Sequence, residues 1–176
     1  MKKILTTLFT CLILTQAFGQ TEGKLSTYLS FQYNHTMSDI TSGNNPWGIG
    51  LGLQTFFNNK TKFKPTIEFT ADTYIADDKV ARVNTDGKII DGVGSMFNLF
   101  AGASFQPKQN VYFSIIAGPS FINGQTLFGV KPSLGFYFSN KQKWTAKVSY
   151  INIFNRYKET NEDFGTISLA VGFKLF

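Results

Sequence analysis

The sequence predicts an all-β chain: an eight-stranded, antiparallel, up-and-down β-barrel that crosses a membrane. Three observations predict it. Apolar residues recur with a period of two through eight runs of about ten residues, the length a tilted strand needs to cross a bilayer. The connections between runs alternate, with one exception, between long and short, as when loops lie on one side of a membrane and tight turns on the other. Aromatic residues gather near the ends of the runs, where two interfacial girdles would sit.

At 176 residues the chain has room for one domain. Residues 1–19 read as a secretory signal. Lys2 and Lys3 precede the apolar stretch Ile4 to Leu14, and Ala17-Phe18-Gly19 offers small residues where a signal peptidase reads. Residues 20–176 are then the barrel domain. The only cysteine, Cys11, falls inside the signal. The processed chain therefore has no disulfide, no thiolate nucleophile and no cysteine metal site. Losing Lys2 and Lys3 leaves 15 basic against 11 acidic side chains, a net charge of +4. These charges are scattered, which argues against a nucleic-acid footprint.

The first run sets Leu25, Thr27, Leu29, Phe31 and Tyr33 against a mainly polar partner set. The second sets Trp47, Ile49, Leu51 and Leu53 against Gly48, Gly50, Gly52 and Gln54, glycines that make room for bulky neighbours in the lumen. The third sets Phe63, Pro65, Ile67, Phe69 and Ala71 against Lys64, Thr66, Glu68, Thr70 and Asp72. The fourth runs through Val93, Phe97, Leu99, Ala101 and Phe105, with Met96 and Phe100 as exceptions on the polar parity. The fifth uses Val111, Phe113, Ile115, Ala117 and Phe121, with Ile116 as its exception. Phe128, Val130, Leu134, Phe136 and Phe138 form the sixth, Trp144, Ala146, Val148, Tyr150 and Phe154 the seventh, and Ile167, Leu169, Val171, Phe173 and Leu175 the eighth. Three prolines sit inside runs and lack a ladder donor. Pro65 and Pro119 fall near rims, and central Pro132 predicts a bulge.

Short polar connections follow runs two, four and six. Longer ones follow runs one, three and seven, at Met37 to Asn45, Ile75 to Asp91 and Asn155 to Asp163. The connection Ile122 to Gln125 is short and breaks the alternation. The apolar parity is expected to face lipid, because the other parity is mostly Gly, Ser, Thr and Asn, suited to a narrow lumen. Lys64, Glu68, Lys131 and Lys147 lie on that second parity, as does Lys174. An eight-stranded barrel has interior room only for side chains. The expectation is an internal salt-bridge network that plugs the lumen, in preference to a pore.

With the signal, the eight runs, the turn asymmetry and the ending Val171-Gly172-Phe173-Lys174-Leu175-Phe176, the processed chain resembles the small outer-membrane barrels of the OmpA/OmpX type from Gram-negative bacteria. The resemblance implies residence in the outer membrane. It also implies a C-terminal strand, here Phe173, Leu175 and Phe176, read by the barrel-assembly machinery. Phe176 departs from the family pattern, since its parity is opposite to that of Phe173 and Leu175.

Chemistry-bearing residues are sparse. His35, the only histidine, precedes Ser38 and Asp39 at the start of the first long loop. Three residues bunched in one loop do not give the ordered nucleophile, base and orienter of a catalytic site. Asp77-Asp78 could meet a divalent cation bridging lipopolysaccharide phosphates, but the spacing lacks the many oxygens of a calcium site. No catalytic, metal or cofactor site is expected. The reading is a monomeric, non-enzymatic envelope protein in contact with the bilayer and lipopolysaccharide. Any surface partner would be met through the external loops, above all residues 75–91. Two rivals remain open on the sequence: an outer-leaflet lipid-modifying barrel enzyme, and a soluble periplasmic lipocalin-like barrel.

Overall fold

The computed structural model describes residues 25–37, 45–75, 93–138, 141–157 and 162–176. Residues 1–19, read from sequence as a signal, Ser38, Asp39 and nearly all of loop 75–91, with Asp77 and Asp78, lie outside the described residues. Eight strands follow one another: β1 (Leu25–Thr36), β2 (Trp47–Phe57), β3 (Phe63–Ile75), β4 (Ser95–Lys108), β5 (Val111–Ile122), β6 (Gln125–Tyr137), β7 (Trp144–Tyr157) and β8 (Glu162–Lys174). Each pairs antiparallel with its sequence neighbours, and β8 returns to β1 to close the barrel. Closure leaves no unpaired edge, which is what a sheet in hydrocarbon requires.

Side-chain direction follows the alternation. Phe31, Leu51, Phe69, Leu99, Ile115 and Val171 are exposed on the outer wall. The interleaved residues, among them Gln32, Thr70, Asn98, Lys131 and Ser168, are buried inside. A lipocalin-like barrel has the reverse polarity, with an apolar interior and a wetted polar exterior. Aromatic contacts mark both rims of the wall. Phe63 meets Phe105 at 4.8 Å and Trp144 meets Phe173 at 6.0 Å by the short turns. Tyr33 stacks on Trp47 at 6.3 Å and Phe128 on Phe154 at 6.2 Å by the opposite end.

The interior, mostly polar as expected, is apolar at both ends. At the loop end Tyr74, Val93, Met96, Phe100, Ile116, Ile122, Ile151, Ile153 and Phe164 form one buried apolar cluster. Met96, Phe100 and Ile116, out of place in the alternation, are members of it. Val93, grouped with the outward residues of its run, turns inward and joins them; its N–H donates to Asn45 Oδ1 at 2.9 Å. At the turn end Tyr28, Phe56, Tyr112 and Tyr137 make an aromatic layer, with Tyr28 and Phe56 edge-to-face at 5.8 Å. A narrow lumen needs bulky groups to fill it, and apolar ones at its two ends keep water from the charges between.

Two local expectations are corrected. Pro132 makes no bulge: the β5–β6 pairing runs straight through it, and the β6–β7 register is the same on either side of an unpaired stretch at Lys131 and Pro132. Facing outward, the proline costs ladder bonds to β7 without shifting the strand. The register shifts fall elsewhere, between Phe105 and Lys108 and between Ile153 and Tyr157. The connection Asn155 to Asp163 is largely hairpin, because β7 reaches Tyr157 and β8 begins at Glu162. Asn155 takes a positive φ of 56° there, and its N–H is held by Asp163 Oδ1 at 2.9 Å. The irregular short connection between β5 and β6 is a two-residue turn, Asn123-Gly124, with φ of 46° and 76°. Positive φ at both positions is the primed turn that the twist of a hairpin favours, and Asn-Gly is its preferred pair.

Candidate functional site

The strands bring charged side chains together at mid-lumen. Glu68 on β3 lies opposite Lys131 on β6 and Lys147 on β7. Its Oε1 is 2.5 Å from Lys131 Nζ and its Oε2 is 2.6 Å from Lys147 Nζ. All three are essentially buried. Lys147 also donates to Gln54 Oε1 at 3.2 Å, and Tyr112 Oη donates to the same oxygen at 3.4 Å. One carboxylate thus braces three strands across the barrel, with both of its oxygens used. Charge-assisted bonds in a dry setting are strong, and they fix which residues oppose which.

Lys64 stands apart from this group. It points to the turn-end rim, where its Nζ donates to Asn58 Oδ1 at 3.2 Å. The grouping of Lys64 with the other three is therefore corrected: it shares their parity but not their depth.

Asp72, on the inward parity of β3, is buried inside the barrel two inward positions towards the loop end from Glu68. Among the described residues no lysine forms a salt bridge with it. Gln32 Nε2 donates to its Oδ1, Asn34 Nδ2 donates to the same oxygen at 2.7 Å, and Thr70 Oγ1 donates to Oδ2 at 3.1 Å. Asn98 Nδ2 reaches Oδ2 at 3.4 Å and Thr70 Oγ1 at 2.9 Å. This second network ties β1, β3 and β4. It also explains one residue of the glycine series, since a Cβ at Gly50 would collide with the Asp72 carboxylate. Gln32, Asn34, Gln54 and Asn98 were not singled out in the sequence. Their signal was available: each occupies the inward parity of its run, and an acid on that parity needs donors.

His35 faces outward at the loop-end rim, in register with Trp47 on one side and Ile167 on the other. Its backbone carbonyl accepts a hydrogen bond from Thr166 Oγ1 at 2.9 Å. Among the described residues no cluster of three or more His, Cys, Asp or Glu side chains is placed to hold a metal ion.

The C-terminal end continues past β8. Leu175 N–H donates to Thr27 O at 2.8 Å, and Thr27 N–H donates to Phe176 O at 3.0 Å. Two successive residues thereby share one partner on β1, as in a bulge. Phe173, Leu175 and Phe176 are all exposed, at 42%, 44% and 39%. The parity mismatch of Phe176 is absorbed by that doubling.

No family model matches the chain, and no curated protein matches it. Solved structures do. Ail, the attachment invasion locus protein of Yersinia pestis, superposes in its crystal structure with a TM-score of 0.55 at 14% identity, covering 88% of this chain and all of that one. The Yersinia pestis outer membrane protein Ail in a phospholipid bilayer nanodisc gives a TM-score of 0.55 at 17% identity, with the same coverage. A third structure, Ail in complex with the heparin analogue sucrose octasulfate, gives 0.55 at 14% identity, again with 88% and 100% covered. At this identity the likeness is one of fold: the closed eight-stranded antiparallel barrel of small transmembrane proteins.

Proposed function

We propose that the chain is an integral outer-membrane barrel, non-enzymatic, which contributes to envelope structure and meets its surroundings through the loops at its loop end. The observation that supports this most is the distribution of polarity. The wall is apolar and exposed, and the lumen is filled from end to end by two side-chain networks between two apolar layers. Loops on a rigid scaffold are where recognition usually resides. The C-terminal residues Phe173, Leu175 and Phe176 fit the role of assembly signal that the resemblance implies.

The heparin analogue bound by Ail does not transfer easily to this chain. Segments 37–45, 75–91 and 155–163 together hold eight acids against five bases. Their surplus is negative, so a sulfated polyanion would meet repulsion at long range. A neutral or basic partner suits them better.

The test uses intact cells. Added protease should nick the chain within 77–91. Replacing Asp77 to Asp91 by a short Asn-Gly turn should abolish that cleavage while the barrel keeps its heat-modifiable mobility. If the replacement prevents barrel assembly, or protease never reaches the segment from outside, the loop is not the surface element proposed.

A further inference from the structure

Positive charge is concentrated at the short-turn end of the barrel. Among the described residues, the charged side chains of the three short turns and the adjoining strand ends are Lys60, Lys62, Lys64, Lys108, Lys141, Lys143 and Lys174, with no acid between them. Lys60, Lys62, Lys108, Lys141 and Lys143 are exposed. They stand beside the aromatic girdle formed by Phe57, Phe63, Phe138 and Trp144. Aromatic girdles mark headgroup depth, so these ammonium groups sit where lipid phosphates lie.

One part of this rim is concave. A groove of about 690 Å³ is lined by Lys141, Lys143 and Lys174 together with Trp144, Phe173, Leu175 and Phe176. Three cations form its polar side, and Trp144, Phe173, Leu175 and Phe176 form its apolar side.

We propose that this groove binds the phosphate of an anionic glycerophospholipid in the leaflet that meets the short turns, with the upper acyl chain lying against Trp144 and Phe173. The proposal rests on the membrane reading above and deepens it by naming a lipid class and a site. Charge complementarity selects the occupant: a zwitterionic headgroup carries its own cation, whereas a phosphatidylglycerol-type headgroup has none. The apolar lining distinguishes a lipid from free phosphate, which would gain nothing from it.

The experiment uses the full chain with Trp47→Phe, which leaves Trp144 as the only tryptophan. It is refolded into phosphatidylcholine vesicles containing a minor share of either brominated phosphatidylglycerol or brominated phosphatidylcholine, and Trp144 quenching is read. Quenching by both lipids, stronger for phosphatidylglycerol, is expected. Lys141→Gln, Lys143→Gln and Lys174→Gln should each reduce the preference about fivefold, at roughly one near-surface lysine's share of the attraction. High salt should weaken the preference in the unsubstituted protein. Heat-modifiable folding of each variant checks that the barrel is intact. Equal quenching by the two lipids overturns the groove while leaving the membrane reading in place. Loss of the preference on adding inorganic phosphate, but not chloride at equal ionic strength, overturns the lipid in favour of free phosphate. Protection from both lipids in an inserted barrel means another chain covers the groove and likewise overturns the proposal. Failure to insert at all would count against the membrane reading itself.

Discussion

Glu68→Gln is expected to destabilise the folded barrel by about 3–5 kcal/mol, the cost of leaving a buried ionic partner uncompensated. Among the described residues Glu68 is the single counter-ion within salt-bridge distance of both Lys131 and Lys147, and all three are buried. The loss should appear as a lower denaturant midpoint for unfolding from lipid vesicles. The physical cause can be separated from mere packing. Replacing all three residues by methionine removes every charge at similar volume, and such exchanges are often neutral or stabilising by a few kcal/mol. The triple variant should therefore recover most of what the single variant loses. A cost for Glu68→Gln below about 1 kcal/mol would place the trio in the class of exposed ion pairs, and the lumen would then be wet.

The second large effect lies on the wall. Leu51 is 56% exposed near the middle of β2, and an arginine there should cost about 2–4 kcal/mol in lipid. Val148→Arg on β7 should behave alike. Ile75, at the loop-end limit of β3, is also exposed, but near an interface the same change should cost only about 0–1 kcal/mol. That depth dependence is the signature of a bilayer. On a protein surrounded by water, exposed leucines tolerate arginine anywhere along the wall, with changes within about 0.5 kcal/mol. Equal costs at Leu51 and Ile75 would mean that lipid does not surround this barrel.

Strand number, order and facing were legible in the sequence because a period of two fixes which residues share a side. Leu51, Leu99 and Val148 face outward and Glu68, Lys131 and Lys147 inward as their parity dictates. Parity does not report depth. Lys64 and Glu68 share a face, yet the first reaches the rim and the second the middle of the lumen. Asp72 lies inward as its parity dictates, but parity alone did not report that Gln32, Asn34 and Thr70 would supply its donors. Phe100, Met96 and Ile116 looked like errors in the pattern because the alternation describes two faces, whereas a filled lumen has layers of differing polarity along its axis. Asn123-Gly124 broke the rule of long and short connections, but it was readable as a hairpin turn on its own chemistry. The doubling of Leu175 and Phe176 on Thr27 was not readable, since it depends on the partner strand.

The central claim is that the apolar face of this sheet is turned towards lipid. Fractionation of cells expressing the full chain tests it most directly. The account predicts that the protein sediments with the outer membrane, resists extraction by salt and alkali, and is released only by detergent as a heat-modifiable band. Recovery of folded protein in a detergent-free periplasmic extract would contradict it.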